Sequence, residues 1–245
     1  MDKKVVLVTG SSIGLGSSII KEYAKNGYNV VINYLSHEKE ALELKKLIEE
    51  EYKTSALCIK ADITNEDEIN NMFNKIINKF NRIDTLINNA GIAIDSCFND
   101  KTKNNFMKIL EVNLVGTFLV SRIIGNYMYK KKNGSIINVS SNNAINSYYE
   151  YSLDYDASKA GVINLTHNLA KYYSPYVRVN AVCPGWIDTP MNKNMDKEYR
   201  KEEEGKILLK RFAKSEEIAS FIYDMSKNSY LNDSIITLDG GISND

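Results

Sequence analysis

Short runs of β-branched and other apolar residues recur along the chain, separated by longer stretches whose apolar residues fall at three- and four-residue spacing. The short runs are typical of buried strands, and the longer stretches are typical of helices with one apolar face. Their alternation predicts repeated β-α-β units and a parallel sheet. The predicted strands are residues 5–9, 30–34, 56–60, 85–88, 135–140, 178–183 and 234–238.

Right-handed crossovers between such strands predict an α/β fold, a doubly wound Rossmann-type sheet with helices on both faces. The chain shows no internal repeat and no linker rich in Pro, Gly or Ser, so we expect residues 1–245 to form a single domain. The least regular tract is 188–210, which we interpret as a flap over a neighbouring pocket. Within it, the charge run 201–204 is typical of a solvated helix face.

Composition and charge narrow the class of protein. Hydrophobic residues make up 43% of the chain and charged residues 25%, as in globular proteins. Lys and Arg total 31 against 31 for Asp and Glu, so no net field favours nucleic acid or an anionic membrane. The N-terminus leads directly into a Val-rich strand pattern, and no apolar run approaches membrane-spanning length. We therefore expect a soluble cytoplasmic protein.

The cysteines do not indicate a disulfide framework or a zinc site. Cys58, Cys97 and Cys183 are odd in number, widely spaced and without a nearby His. We predict three buried thiols and no metal.

A glycine-rich turn follows the first predicted strand. Gly10, Gly14 and Gly16 lead directly into a helical stretch. Glycines there allow positive φ and close approach of a ligand, and the free N–H groups of the helix start attract an anion. This arrangement predicts a site for the pyrophosphate of a dinucleotide.

The same turn formally matches the G-x-S-x-G elbow of α/β-hydrolases, with Ser12 as the nucleophile. Those enzymes have strands before the elbow, and they need a later acid followed by a His. The chain contains only His37 and His167, and neither lies near its end. We therefore reject the hydrolase interpretation.

The end of the second predicted strand bears on the choice of cofactor. No carboxylate occurs between Asn33 and Glu38, where NAD-binding folds place an Asp or Glu on the ribose. This absence leaves room for the 2′-phosphate of NADP near Ser36, His37 or Lys39 and favours NADP(H) over NAD(H). Ser36 and His37 are equally well explained as caps of the helix that starts at Glu38.

Candidate catalytic residues follow the fifth predicted strand. Ser141 lies at the carboxyl edge of the sheet, where open α/β sheets bind ligands. Tyr155 and Lys159 are four residues apart at a helix start and share one face. An adjacent ammonium would bring the pKa of the Tyr155 hydroxyl below its usual value of about 10, which suits proton exchange. Ser141 would donate a hydrogen bond to the substrate oxygen.

The Tyr-x-x-x-Lys spacing is not distinctive by itself. It also occurs at Tyr127 with Lys131 and at Tyr223 with Lys227, which we predict to be surface helix pairs.

Several motifs occur together and in order between residues 5 and 241. They are Thr9-Gly10 with Gly14 and Gly16, Asn88-Asn89-Ala90-Gly91, Asn113, Ser141, Tyr155 with Lys159, and Pro184-Gly185. In this order they resemble the short-chain dehydrogenase/reductase family. The resemblance implies an oxidoreductase that transfers a hydride between a nicotinamide cofactor and a carbonyl or secondary alcohol, and it implies a homotetramer.

The resemblance also implies individual roles. Asn113 would hold a water that connects Lys159 to solvent, although an Asn within a helix can also accompany a kink. Asp62 would contact adenine, or it is a cap or turn residue. Ile187 and Thr189 would contact the nicotinamide amide. The catalytic residues implied are Asn113, Ser141, Tyr155 and Lys159. The cofactor-binding residues implied are Gly10, Ser12, Ile13, Gly14, Gly16, Asn33, Ser36, Asp62, Ile63, Asn89, Ala90, Gly91, Tyr155, Lys159, Pro184, Gly185, Ile187 and Thr189.

Within the family, residues 180–185, 211–219 and 238–241 resemble the 3-oxoacyl-[acyl-carrier-protein] reductases of fatty-acid biosynthesis. This implies NADP(H)-dependent reduction of a 3-oxoacyl thioester and an acidic acyl carrier protein as partner. The Lys cluster 130–132 would meet that partner, or it answers the dipole of its own helix.

Two alternatives remain open for the function. One is an NAD(P)-dependent sugar, polyol or hydroxysteroid dehydrogenase, and the other is a non-catalytic nucleotide sensor. Intact Ser141, Tyr155 and Lys159 argue against the sensor. The interval from Ser141 to Tyr155 is one residue longer than in the reductases, which places Tyr148 and Tyr149 near the pocket.

Overall fold

The structure, a computed structural model, describes residues 3–145, 149–192 and 195–242. The strands are β1 Val5–Val8, β2 Asn29–Tyr34, β3 Ala56–Lys60, β4 Thr85–Asn88, β5 Gly134–Val139, β6 Val177–Pro184, β7 Ile187–Asp188, β8 Ala213–Lys214 and β9 Ile235–Leu238. The helices are α1 Gly14–Lys25, α2 Glu38–Glu51, α3 Glu66–Phe80, α4 Lys103–Leu110, α5 Thr117–Lys130, α6 Leu153–Tyr173, α7 Lys197–Lys206 and α8 Ser215–Lys227.

The main sheet is parallel, with strand order β3-β2-β1-β4-β5-β6-β9. The order reverses beside β1, so the crevice between the turns after β1 and β4 is the topological switch point where such sheets bind ligands. The predicted α/β class is confirmed, and each predicted strand agrees with the structure to within one residue at either end. The short parallel pair β7-β8 was not predicted, because two-residue strands leave no periodic pattern.

Alternate residues of β1 enter two different apolar cores. Val6 and Val8 pack with α1, α2 and α8 on one face of the sheet. Val5 and Leu7 pack with α3, α5 and α6 on the other face. A strand covered on both faces reads as a continuous apolar run, which is why the β1 sequence is Val-Val-Leu-Val.

A buried polar chain crosses the second core at the carboxyl ends of β4 and β5. The Asn88 amide donates to Ser121 Oγ (2.8 Å) and to Asn138 Oδ1 (2.8 Å). The Asn138 amide in turn donates to Thr166 Oγ1 on α6 (2.9 Å). These bonds tie β4, β5, α5 and α6 together directly beneath the turn that begins at Asn89.

Two residue-level predictions are wrong. Cys97 is exposed and Cys58 is only partly covered, so Cys183 alone of the three is a fully buried thiol. Tyr223 does pair with Lys227, whose Nζ lies 4.9 Å from the ring centroid, but the ring belongs to the core and packs edge-on against Tyr23 at 5.2 Å, so its predicted surface location is wrong. The predicted pair of Tyr127 with Lys131 is present, with Lys131 Nζ 5.7 Å from the ring centroid, and the Tyr127 hydroxyl donates to the Asn81 carbonyl at the surface. Within the described ranges, no helix combines the length and apolar character needed to cross a bilayer.

We predict that Asn138→Ala lowers the free energy of unfolding by about 2–3 kcal/mol, because it removes partners of the buried Asn88 and Thr166 side chains. Urea unfolding followed by circular dichroism measures the change. Asn168→Ala is the matched control, since the Asn168 amide bonds only within the exposed face of α6. Equal effects of the two substitutions would contradict the prediction.

Candidate active site

The turn after β1 is packed too closely for side chains at two of its glycines. A Cβ on Gly10 would lie 2.8 Å from Ala90 Cα, and one on Gly16 would lie 2.5 Å from the Gly10 carbonyl oxygen. Gly10 and Gly14 both have φ of +57°, a region that disfavours other residues. Ser12 is half-buried on this turn, and Ile13 next to it is exposed.

Thr9 and Asn89 join this turn to the turn after β4. Thr9 Oγ1 accepts from the backbone N–H groups of Asn89 (3.0 Å) and Ala90 (3.1 Å). The Asn89 amide donates back to the carbonyls of Thr9 (3.0 Å) and Gly10 (2.9 Å). We assigned no role to Thr9 from the sequence, although it opens the Thr9-Gly10 motif. Its hydroxyl fixes the spacing of the two turns.

Asn33 lies behind the turn. Its Oδ1 accepts from the Gly10 N–H (3.1 Å), and its Nδ2 donates to the Ala61 carbonyl (3.0 Å). With 2% of its surface exposed, the side chain has little area left for a ligand. The Asn33 side chain thus shapes the turn that we predict to bind the cofactor, and its own contact with the cofactor stays a prediction.

The end of β2 leaves two polar side chains exposed. Ser36 Oγ and His37 Nδ1 lie 3.2 Å apart and bond to each other. His37 occupies the N-cap position of α2, but its side chain makes no capping hydrogen bond. The Glu38 carboxylate accepts from Tyr34 Oη (3.0 Å). Capping thus does not account for the His37 side chain.

Asp62 and Ile63 follow β3. Asp62 Oδ1 accepts from both the N–H and the hydroxyl of Thr64 (2.8 Å each). This oxygen therefore acts as that of a turn residue, one of the two alternatives to an adenine contact. The cap of α3 is Asn65, which accepts from two N–H groups of that helix. Ile63 is buried, and its side chain packs where Gly116 leaves space. Only the backbone of Ile63 can therefore face a ligand.

Asn113 lies in a π-helical turn, Glu111–Gly116, between α4 and α5. Its amide donates to the Ile92 carbonyl (2.9 Å) and Ser158 Oγ (3.0 Å), and its Oδ1 accepts from the Ile92 N–H (2.8 Å). Such π-turns are frequent at functional sites. The helix distortion is therefore present, and it directs the amide toward the backbone that follows Gly91.

Ser141, Tyr155 and Lys159 come together at the ends of β5 and α6. The Lys159 ammonium donates to the Val139 carbonyl (2.9 Å) and lies 5.6 Å from the Tyr155 ring centroid. The side chains of Ser141 and Tyr155 are hydrogen-bonded to each other. A Cβ on Gly91 would lie 3.4 Å from Lys159 Nζ and 3.2 Å from Asn113 Oδ1, so the β4 turn borders the same cluster.

Burial dominates the ionisation of this cluster. It raises the pKa of Tyr155; the bond from Ser141 opposes that rise, and the charges of Asp156 and Asp95 add to it. Burial also lowers the pKa of Lys159 from 10.5 to about 8. The expected lowering of the Tyr155 pKa by Lys159 is thus not met, because the buried site disfavours both charged forms.

The stretch after β6 faces the glycine turn. Gly185 packs against Asp239, where its Cβ would lie 2.7 Å from the Asp239 Cβ, and its N–H donates to the Leu238 carbonyl (3.1 Å). Pro184 is the last, buried residue of β6, and Ile187 pairs with Ala213 of β8. A Cβ on Gly14 would lie 3.9 Å from Thr189 Cβ, so the residues predicted to hold the nicotinamide amide stand beside the turn.

The helix within the predicted flap is anchored. Glu203 Oε2 accepts from Trp186 Nε1 (2.9 Å), and Trp186 stacks on Phe212 with ring centroids 5.3 Å apart. Arg200 lies 4.6 Å from the Phe212 ring centroid and pairs with Asp188 at 3.1 Å. The prediction of a fully solvated charge run is wrong at Glu203, which is 8% exposed because it bonds the indole.

Tyr149 connects α7 to the loop after β4. Its hydroxyl is hydrogen-bonded to Asp95 and to Tyr199 of α7. Since Asp95 also acts on Tyr155, the predicted position of Tyr149 near the pocket agrees with these contacts. Tyr148, like residues 193 and 194 of the flap, lies outside the described residues.

The turn after β1 fits a dinucleotide pyrophosphate. Gly10, Gly14 and Gly16 leave a cradle that a Cβ would fill or strain. Ile13, at the N-cap of α1, supplies no side-chain acceptor, so the first N–H groups of that helix are available to an anion.

The chain matches the family model described as short chain dehydrogenase over residues 4–200. The 3-oxoacyl-[acyl-carrier-protein] reductase of Thermotoga maritima is 36% identical over 251 residues, covering 99% of this chain and 98% of the relative. The 3beta-hydroxysteroid dehydrogenase 1 of Eggerthella lenta is 35% identical over 246 residues, covering 98% and 94%. The solved structure of ElxO with NADP bound has a TM-score of 0.89 at 30% identity, covering 97% of this chain and 98% of that one.

The family model spans most of the chain, and the relatives align over nearly its full length. Their similarity agrees with the sheet order and with the cluster around Tyr155. This protein belongs to the short-chain dehydrogenase/reductase family of NAD(P)-dependent oxidoreductases.

Proposed function

We propose that this protein catalyses the NADP(H)-linked reduction of a ketone, with a 3-oxoacyl thioester as its substrate. The observation that carries the reaction type is the convergence of the Ser141, Tyr155 and Lys159 side chains beside Gly91. The substrate rests on the resemblance of three stretches to the 3-oxoacyl reductases and on the Thermotoga maritima relative.

Each residue of the cluster has a separate task in this proposal. The nicotinamide cofactor supplies the hydride when it is bound. Ser141 donates a hydrogen bond to the substrate oxygen, on which negative charge develops. Tyr155 gives its proton to the same oxygen, and the burial that raises its pKa keeps that proton in place until it is needed. Lys159, whose ammonium donates to the Val139 carbonyl, returns a proton to Tyr155. Solvent would replace that proton on Lys159 by a route past Asn113.

We propose that the dinucleotide lies along the carboxyl edge of the sheet. The pyrophosphate would bind at the turn 10–16, the adenosine beside Asp62 and Asn89, and the nicotinamide amide at Ile187 and Thr189. This would make one domain serve both cofactor binding and catalysis, with the segment 188–210 covering the substrate.

The preference for NADP(H) is supported by the end of β2. The side chains of Ser36 and His37 are exposed and bond each other, and that of His37 does not cap α2. The Glu38 carboxylate accepts a hydrogen bond from Tyr34. A 2′-phosphate can therefore accept hydrogen bonds from Ser36 and His37, with Lys39 in the next turn.

A hydroxysteroid dehydrogenase is the second candidate. The Eggerthella lenta relative is about as similar as the reductase. The rings of Tyr149 and Tyr151 lie 5.3 Å apart, next to Tyr199, and would suit a flat apolar substrate. A non-catalytic sensor is disfavoured because it has no use for the assembled cluster around Tyr155.

The partners we propose are acyl carrier protein and further copies of this chain in a homotetramer. Lys131 and Lys132 lie 5.7 Å and 5.5 Å from the rings of Tyr127 and Tyr176, which gathers positive charge at the end of α5. An acidic carrier protein would be attracted to this end of the helix.

Activity with NADPH and acetoacetyl thioesters, compared with NADH and hydroxysteroids, tests the proposal. We expect turnover of the thioester, and we expect Tyr155→Phe to lower kcat by about 10²–10⁴-fold because it removes the transferable proton. Tyr127→Phe, which has the same spacing to a lysine, is the control and should leave kcat unchanged. Failure to reduce any acyl thioester would overturn the proposed substrate, and NAD-linked steroid oxidation would favour the second candidate.

Ser36→Asp tests the cofactor preference. A carboxylate at this position repels the 2′-phosphate, so kcat/KM for NADPH should fall at least about tenfold, an effect of roughly 1.4 kcal/mol, while that for NADH is retained. Ser36→Ala separates the added charge from the lost hydroxyl. An equal loss with both cofactors would contradict the prediction.

Lys159→Met tests the buried charge through stability. Since the folded pKa is about 8 and the ordinary value 10.5, the unfolded chain binds more protons between these pH values, and the parent gains stability as pH rises. The stability of the variant relative to the parent should therefore fall by up to about 3 kcal/mol from pH 7 to pH 10. Urea unfolding at both pH values measures this, with Lys46→Met on the exposed face of α2 as control. A difference in stability between variant and parent that does not change with pH would refute the lowered pKa of Lys159.

A further inference from the structure

The pair formed by Lys101 and Asp154 is unlike the other ion pairs among the described residues. Lys101 Nζ lies 2.8 Å from Asp154 Oδ1, and the two side chains are 6% and 1% exposed. Every other ion pair in the described ranges has at least one side chain about a third exposed or more. A buried pair is a poor stabiliser compared with apolar residues of similar volume, so its presence calls for a role in position.

Asp154 is attached to the backbone of the proton donor. Its Oδ1 also accepts from the Tyr155 N–H at 3.0 Å. That N–H belongs to the first turn of α6, where helix N–H groups have no partner within the helix. The same oxygen therefore receives both the Lys101 ammonium and the Tyr155 backbone.

Lys101 holds the other side of the junction. It lies in the 92–102 loop, which connects Gly91 to α4, and its ammonium also donates to the Ile94 carbonyl at 3.3 Å. A further bond runs from the Ser96 N–H to the Tyr151 carbonyl at 3.2 Å. Two hydrogen bonds, one from Lys101 to Asp154 and one from Ser96 to Tyr151, thus join this loop to the segment that begins α6.

The loop held in this way borders the site at both ends. Asn113 fixes its start by bonding the N–H and carbonyl of Ile92. Its middle carries Asp95, which is bonded to Tyr149 and whose charge raises the pKa of Tyr155. Displacement of the loop would therefore change what surrounds the Tyr155 hydroxyl.

We propose that Lys101 and Asp154 are positioning residues, whose buried ion pair fixes the 92–102 loop against the first turn of the helix that carries Tyr155. The inference rests on the proposed role of Tyr155 as proton donor. Neither residue takes part in the reaction. Both hold the site in its productive geometry, where a shift of about 1 Å can cost 10²-fold in rate.

The test compares Lys101→Met with the double variant Lys101→Met/Asp154→Leu. The single variant leaves a buried carboxylate without its partner, so its Tm should fall by about 10 °C. The double variant replaces the pair with apolar side chains and should recover the Tm of the parent. It still lacks the bonds by which Asp154 joins Lys101 of the loop to the Tyr155 N–H.

Two further measurements separate positioning from stability. Amide hydrogen exchange within residues 92–102 should be faster in both variants than in the parent. With NADPH and the ketone that the parent reduces best, kcat should fall about ten- to a hundredfold in both. The Kd for NADPH, from fluorescence titration, should be unchanged. Lys46→Met serves as the control lysine, because its pair with Glu50 is exposed on α2.

Recovery of kcat together with Tm in the double variant would overturn the proposal, since the pair would then be structural only. Unchanged exchange in the 92–102 loop would overturn it as well, and so would faster exchange without a fall in kcat. If the parent reduced no ketone, the proposed function would fail, while the exchange measurement would still decide whether the pair fixes the loop.

Discussion

The reciprocal bonding of Thr9 and Asn89 is the contact on which the site depends. It joins the turns after two neighbouring strands at the point where the strand order reverses. Because these turns lie so close together, Gly10 and Gly16 have no room for a Cβ. The same contact leads along the chain to Gly91, which borders Asn113 and Lys159. The candidate cofactor cradle and the candidate catalytic cluster are therefore parts of one packed unit.

Burial of charge is the second constraint. Lys159 is enclosed beside Tyr155, and the Lys101–Asp154 pair is enclosed beside the start of the same helix. At Tyr155 and Lys159, burial disfavours the phenolate and the ammonium, so it raises the pKa of Tyr155 and lowers that of Lys159. Fixed hydrogen bonds, such as that from Lys159 to the Val139 carbonyl, offset part of this cost. The candidate reactive groups are thus positioned by residues that are themselves fixed by hydrogen bonds or ion pairs.

The wrong predictions for Glu203 and Tyr223 share one physical origin. Glu203 lies in a charged helix and Tyr223 in a Tyr-x-x-x-Lys pair, and local pattern assigns both to the surface. Trp186 provides a buried partner for the first, and Tyr23 provides one for the second. The side chain of Asn33, whose cofactor contact stays a prediction, likewise bonds the remote Gly10 N–H and Ala61 carbonyl. In each case the deciding partner is remote in sequence, so no local pattern could report it.

The sequence by itself determined the elements of the fold. It set the apolar runs that form strands, the helices with one apolar face between them, and the glycines where the first turn must take positive φ. It also pointed to Ser141, Tyr155 and Lys159 as candidate reactive groups, because they occur in order with the other motifs of the family, whereas the Tyr-x-x-x-Lys spacing alone is not distinctive. Only the tertiary structure decided how those groups are held. The Thr9–Asn89 contact, the Asn113 bonds to Ile92 and the Lys101–Asp154 pair join segments up to 80 residues apart. Periodicity encodes which face of an element is buried, whereas hydrogen-bond partners depend on which elements the fold brings together.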